Sequence, residues 1–258
     1  MIVLRLITVV FTLFVLLPLA WLVYAAFIPP EALINASLVT PGVSLENLAA
    51  LPGSGLGRAM GVSLAATGMV VVLQLATGLG AAYATRAGLP LTALVLVLLA
   101  VPTELLLVPL YRLLQGLGLT DTFAALTLPF AASPLVVFLL MSAIRRVPWS
   151  LVEAARLDGA GEGTIVARVV APTLRPELLA TGVLAFAAHW NLVLYPRVMT
   201  TESLWTVQAF LVDLLRTRPF EWGLLGAAAL VASLPILVLY VVFERRIVTV
   251  FERGFRAY

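Results

Sequence analysis

The chain has 258 residues, of which 62% are hydrophobic and only 11% charged, and it carries a formal net charge of +3. That balance lies far outside the range of soluble globular domains and makes a lipid bilayer the main solvent of the fold. Cysteine is absent, which excludes disulfides and thiolate metal sites, and a single histidine, His189, speaks against a histidine-built metal centre.

A membrane-crossing helix takes about 20 mainly apolar residues, and six stretches meet that requirement, predicting an all-α integral membrane fold in one transmembrane domain over residues 1–258. The first span covers about Leu6 to Ile28. It follows Arg5 like a secretory leader, but it is long enough to cross and ends in Trp21, Tyr24 and Pro29-Pro30 without a small-residue cleavage box, so it reads as a retained helix. The second span covers about Met60 to Thr85 and the third about Leu89 to Leu114. The fourth covers about Thr122 to Ile144, the fifth about Leu178 to Pro196 and the sixth about Gly223 to Phe243. The Pro, Gly, Asn and Ser content of Pro29 to Gly57 marks a loop. A second loop, Pro196 to Glu221, contains an apolar patch from Leu204 to Leu215 that reads as a short interfacial or partner-packing helix.

All 16 basic residues are arginine, and they sit scattered at span ends without forming a basic face, so nucleic-acid binding is not implied. With the N-terminus inside, eleven arginines fall in inside segments, among them Arg86, Arg145, Arg146, Arg156, Arg168, Arg175, Arg245 and Arg246. Five fall outside: Arg58, Arg112, Arg197, Arg216 and Arg218. The asymmetry predicts both termini in the cytoplasm, and with them the polar loop of about 145–177 between spans four and five.

That loop reads EAARLDGAGEGTIVARVVAPTLRP from Glu153 to Pro176. Pro148 with Ser150 offers a helix start, Val152 to Leu157 are mainly helix formers, and Gly159 after Leu157 and Asp158 is a helix stop. A second apolar helix follows around Ile165 to Val170, before Pro172. Ala154 and Ala155 let a neighbour approach the helix backbone, and Glu153 offers it a carboxylate. Glu-Ala-Ala alone is a common helical tripeptide; its place in a basic loop, with Asp158-Gly159-Ala160 at a fixed offset, gives it weight.

With these residues the chain resembles the permease subunits of carbohydrate-type, binding-protein-dependent ATP-binding-cassette (ABC) importers, specifically the maltose-permease-G-like branch. His189-Trp190-Asn191 with Tyr195-Pro196 is similar to that branch's span-five signature. Pro109-Leu110-Tyr111 with Leu117-Gly118-Leu119-Thr120-Asp121-Thr122 is similar to its span-three exit. The match runs from about Gly61 onward. The tail, Phe251-Glu252-Arg253-Gly254-Phe255-Arg256, departs from the family's glycine- and lysine-rich ending, and Glu104 stands where the family has an apolar residue.

The resemblance implies a bacterial or archaeal inner-membrane subunit that pairs with a second permease chain, docks two cytoplasmic ABC ATPases and receives solute from an extracytoplasmic binding protein. It implies coupling to the ATPases through Glu153, Ala154, Ala155, Leu157, Asp158 and Gly159. The chain has no phosphate-binding loop, so ATP and Mg are expected on the ATPase partners, with no cofactor on this chain.

For the solute path, an ionisable residue in mid-span costs roughly 2.5–3.5 kcal/mol on insertion scales and usually faces a cavity or a partner. Glu104, bracketed by Pro102 and Pro109 in a stretch expected to kink, is such a residue. Asn191 and Trp190 offer the amide and the flat aromatic face that hydroxyl-rich solutes need; Tyr195 and Gln74 complete the candidates. Gly68, Gly78, Gly80 and Gly88 give spans two and three close-packing faces. The same engine serving a polyamine, peptide or anion is an alternative. An integral-membrane enzyme is a further one, but Ser63, Ser133 and Ser233 have no histidine or lysine in register and Glu104 stands alone.

Overall fold

A computed structural model describes residues 2–29 and 42–255, with side chains described over 5–29 and 42–244. Residues 30–41 of the first predicted loop and Arg256 lie outside the described residues, as do the side chains of the tail. The architecture is all-α, with no strand among the described residues. Three helices are each long and apolar enough to cross a membrane: α1, Ile2–Ala26; α2, Leu56–Arg86; and one at the C-terminal end, Trp222–Phe255. The other three predicted spans are each built from two helices meeting at a bend, so the number of spans is three, or up to six if each bent pair counts as one.

The third predicted span breaks into α3, Thr92–Leu99, and α4, Leu107–Gly116, through a 3-10 turn at Thr103–Leu106, with an 89° bend. Pro102 accounts for the break: it is extended (φ −62°, ψ 128°), has no N–H to continue the ladder and disfavours helix in the residue before it. Pro109 sits in the first turn of α4, where its missing N–H leaves nothing unpaired, so only one of the two bracketing prolines interrupts the helix. The fourth span consists of α5, Phe123–Thr127, a 3-10 turn Leu128–Phe130, and α6, Pro134–Ile144, bent by 41°. Thr122 and Ser133 cap the two helices, accepting from the Ala125 and Val136 amides. After α7, Trp149–Leu157, a helical run α8, Glu162–Thr173, carries a π-type turn over Val166–Val170. It meets α9, Arg175–Trp190, at 88°. The fifth-span helix therefore begins and ends earlier than hydropathy suggests, and Tyr195 and Pro196 lie on a separate helix, α10, Leu194–Met199.

The chain divides into two compact units. One comprises Met1–Val62 and Trp205–Pro235. In it Asn47 is buried and its amide donates to the Ile28 carbonyl at 2.8 Å, stopping the end of α1. The apolar patch of the second loop forms α11, Val207–Thr217, and buries Val207, Ala209, Phe210 and Leu214. The last helix, α12 (Trp222–Phe255), completes that unit with its first turns.

The second unit comprises Ser63–Leu204 and Ile236–Tyr258. Its core gathers Ala82, Val136, Leu140, Ile144, Val152, Ile165 and Leu174. Of the four glycines expected at close-packed faces, only Gly78 serves there: a Cβ on it would lie 2.8 Å from Val136 Cγ1 and 3.2 Å from Leu140 Cδ1, whereas Gly68 and Gly80 face open space and Gly88 turns the chain at φ +116°. Gly78→Ala should therefore overpack the α2–α6 contact and destabilise the subunit by about 1–3 kcal/mol. Gly80→Ala should be neutral or slightly stabilising, and thermal unfolding of the two variants in detergent separates them.

Candidate functional site

The loop between spans four and five is held at both ends. Arg146 at its start pairs with buried Glu177 at 3.3 Å. α7 begins directly after extended Pro148, with no side-chain cap, so Ser150 lies inside the helix and does not start it. Its end is closed by a Schellman motif: Gly159, at φ +80°, donates to the Arg156 carbonyl, and Ala160 donates to the Ala155 carbonyl, both at 3.0 Å. An L side chain at position 159 would be strained, which gives the Gly its fixed place after Leu157 and Asp158.

α7 has two faces. Val152 is fully buried in the core, with Trp149 and Ala155 packed partly against it. Glu153, Ala154, Leu157, Asp158 and Gly159 are exposed, and Leu157 is 89% exposed, the most of any large apolar residue described. The outer face of α7 thus presents a carboxylate, small residues and a bare leucine side by side.

Five residues that sequence reasoning missed meet beside this helix. The guanidinium groups of Arg86 and Arg156 lie over the Trp149 ring, 5.3 and 5.8 Å from its centroid. Arg156 grips Glu162 with two bonds, 3.0 and 3.3 Å long, and donates to the Tyr83 hydroxyl at 3.2 Å, which itself donates to Glu162. The Arg156 bond holds the Glu162 carboxyl below its usual range, the Tyr83 bond adding to it, and the same pairing with Glu162 raises Arg156. The signal available was the i, i+3, i+7 spacing of Trp149, Val152 and Arg156, which puts them on one helix face.

The five solute-path candidates separate. Gln74 and Tyr195 converge on the break in span four. Pro129 has no N–H, so the carbonyl four residues before it, Ala125, loses its helical donor; the Phe130 carbonyl lies just before the non-helical break at 131–133. Tyr195 Oη donates to the Ala125 carbonyl at 2.8 Å and Gln74 Nε2 to the Phe130 carbonyl at 2.9 Å. His189 joins the same cluster between Thr67 Oγ1, at 3.1 Å, and the Leu126 carbonyl, at 3.3 Å. Trp190 is 1% exposed and stacks on Phe186. Asn191, by contrast, is exposed at the end of α9, its amide donating to the Ala187 carbonyl at 2.8 Å. Glu104 is exposed in the turn where span three breaks. Asp121 anchors the span-three exit: at φ +56° its carboxylate accepts from the Thr201 amide at 2.7 Å.

Residues 74–257 match the family described as binding-protein-dependent transport system inner membrane component. The chain is 30% identical over 256 residues to the trehalose transport system permease protein SugB of Mycobacterium tuberculosis, covering 93% of this chain and 92% of that one. To the sn-glycerol-3-phosphate transport system permease protein UgpE of Agrobacterium fabrum it is 28% identical over 221 residues, covering 83% and 75%. Its fold is similar, with a TM-score of 0.79 over 95% of each chain and 19% identity, to that in the crystal structure of a bacterial ABC transporter involved in the import of the acidic polysaccharide alginate.

Proposed function

This chain belongs to the family of binding-protein-dependent transport system inner membrane components, and on that premise we propose that it forms half of the path for a sugar or a related polyol or glycerol phosphate. It is a multi-pass permease subunit of an ABC importer, not an enzyme, and it works with other components of such a system. In our reading those are a second permease that is a different chain, two cytoplasmic ATPases that hold ATP and Mg, and an extracytoplasmic binding protein. The chain itself carries no cofactor, sits in the inner membrane and has both termini in the cytoplasm. The names of its relatives support the solute class.

The observation that carries the reading is α7: a short helix anchored by Val152, closed by Gly159 and presenting Glu153, Ala154 and Leu157 outward. Closure of the ATPases displaces such a docked helix as a rigid element and rocks the spans between inward- and outward-facing states. Asn191 and Glu104 are the exposed polar groups we assign to the solute path; Trp190, Tyr195 and Gln74 support it from behind.

Affinity purification of the subunit from solubilised membranes tests the assignment. We expect an ATPase with a phosphate-binding loop and a second permease to co-purify; recovery of this chain alone, with its α7 loop open to protease, overturns it. Asn191→Leu should lower solute uptake about tenfold through loss of a hydrogen bond to the solute, while stimulation of ATP hydrolysis by the binding protein persists. Loss of the protein from the membrane instead assigns Asn191 to packing.

A further inference from the structure

The cluster around Trp149 has little to offer stability, because Arg86, Arg156 and Glu162 are exposed and ion pairs in water are worth little. What it does supply is direction. α7 has one fully buried residue, Val152, near its middle, and a helix held there alone is free to pivot when its outer face is pushed. Trp149 and Arg156 lie on either side of Val152 on the same face, and each is tied to the end of α2: Trp149 by the Arg86 guanidinium and by the Tyr83 ring 5.6 Å away, Arg156 by the Tyr83 hydroxyl. Glu162, at the start of α8, closes the arrangement through a two-bond grip on the planar guanidinium of Arg156, a geometry that fixes orientation as well as distance.

We propose that Tyr83, Arg86, Trp149, Arg156 and Glu162 are positioning residues that lock α7 to the end of α2, so that a displacement entering at α7 moves α2 with it instead of rotating α7 in place. The proposal rests on the reading of α7 as the ATPase-docking helix. These residues act through the helix that does the docking. The seal is made of weak, directional contacts, so it orients without adding a buried charge to the core.

The chain has no cysteine of its own, so Ser150→Cys and Ala87→Cys, both at exposed positions, accept a pair of spin labels without background. The labelled subunit is measured by electron paramagnetic resonance in the complex with its co-purifying ATPase, first without nucleotide and then trapped with ATP and vanadate. In the native background the dipolar broadening should be the same in both states, because α7 and the end of α2 travel together. In Trp149→Leu the broadening should survive without nucleotide and be lost in the trapped state, and Trp149→Phe, which keeps an aromatic face, should restore it. Arg86→Gln, an exposed change that leaves the core intact, should show a partial loss and serves if Trp149→Leu does not fold.

Native spacing in both states for Trp149→Leu or, where that variant does not fold, for Arg86→Gln overturns the proposal, as does a spacing that changes between states in the native protein. Failure of the native subunit to recover any ATPase overturns instead the docking role of α7, so the two failures are distinguishable.

Discussion

Reversing the charge at Glu153 (Glu153→Arg) abolishes ATP-driven uptake while the subunit still reaches the membrane. The second half of that expectation follows from the surroundings of the residue: Glu153 is exposed on the outer face of α7 and has no salt-bridge partner among the described residues. Its neighbour Val152, which anchors the helix, is untouched, and exposed substitutions away from such anchors change stability little. The first half follows from the docking reading. A carboxylate flanked by Ala154 and Leu157 offers a partner one charge and an apolar contact, and replacing it with arginine sets like charges against each other across a desolvated interface. Such a juxtaposition lowers association by about a hundredfold or more. The measurement is ATP-dependent uptake in membrane vesicles, together with the amount of ATPase recovered per subunit. Undiminished uptake with normal ATPase recovery removes α7 from the coupling role.

The parts of this reading that were legible in the sequence are those governed by local chemistry. Gly159 stops α7 because a left-handed residue is needed where a Schellman motif closes, and glycine marks such places openly. The apolar runs gave the membrane class, because composition alone decides it. Direction was not legible: hydropathy summed over Leu89 to Leu114 is the same whether the chain runs straight or turns by 89° at Pro102. Nor were the partners of Gln74 and Tyr195, which lie 56 and 70 residues away in the chain. For Tyr195 half of that signal was present, since Pro129 names the carbonyl four residues earlier that must find another donor; the other half depends on which helix packs alongside. The separation of Gly78 from Gly68 and Gly80 is of the same kind, because small residues permit close approach without saying which neighbour takes it.

Tyr195→Phe tests whether the polar residues around span four serve the backbone or the solute. The hydroxyl is the donor that satisfies the Ala125 carbonyl, which Pro129 deprives of its helical N–H. Tyr195 is buried, so removing the hydroxyl leaves that carbonyl without a donor in a low-dielectric surrounding and should destabilise the subunit by about 1–3 kcal/mol. The ring remains, keeping its edge-on contact with Phe130, whose centroid lies 4.7 Å away, so the loss is confined to the hydrogen bond. The double-mutant cycle decides the origin of the effect. Pro129→Ala supplies an amide that can serve the Ala125 carbonyl, and in that background Tyr195→Phe should cost little. If instead Tyr195→Phe alone leaves thermal unfolding unchanged but alters which solutes are taken up, the hydroxyl belongs to the solute path and the carbonyl is satisfied without it. Gln74 serves the Phe130 carbonyl in a related way, where the chain leaves the helix at the break before Pro134. Span four, on this account, is bent by its prolines and held in its bend by side chains from the helices beside it, which gives the membrane interior a reason to contain a glutamine, a tyrosine and a histidine without any of them touching solute.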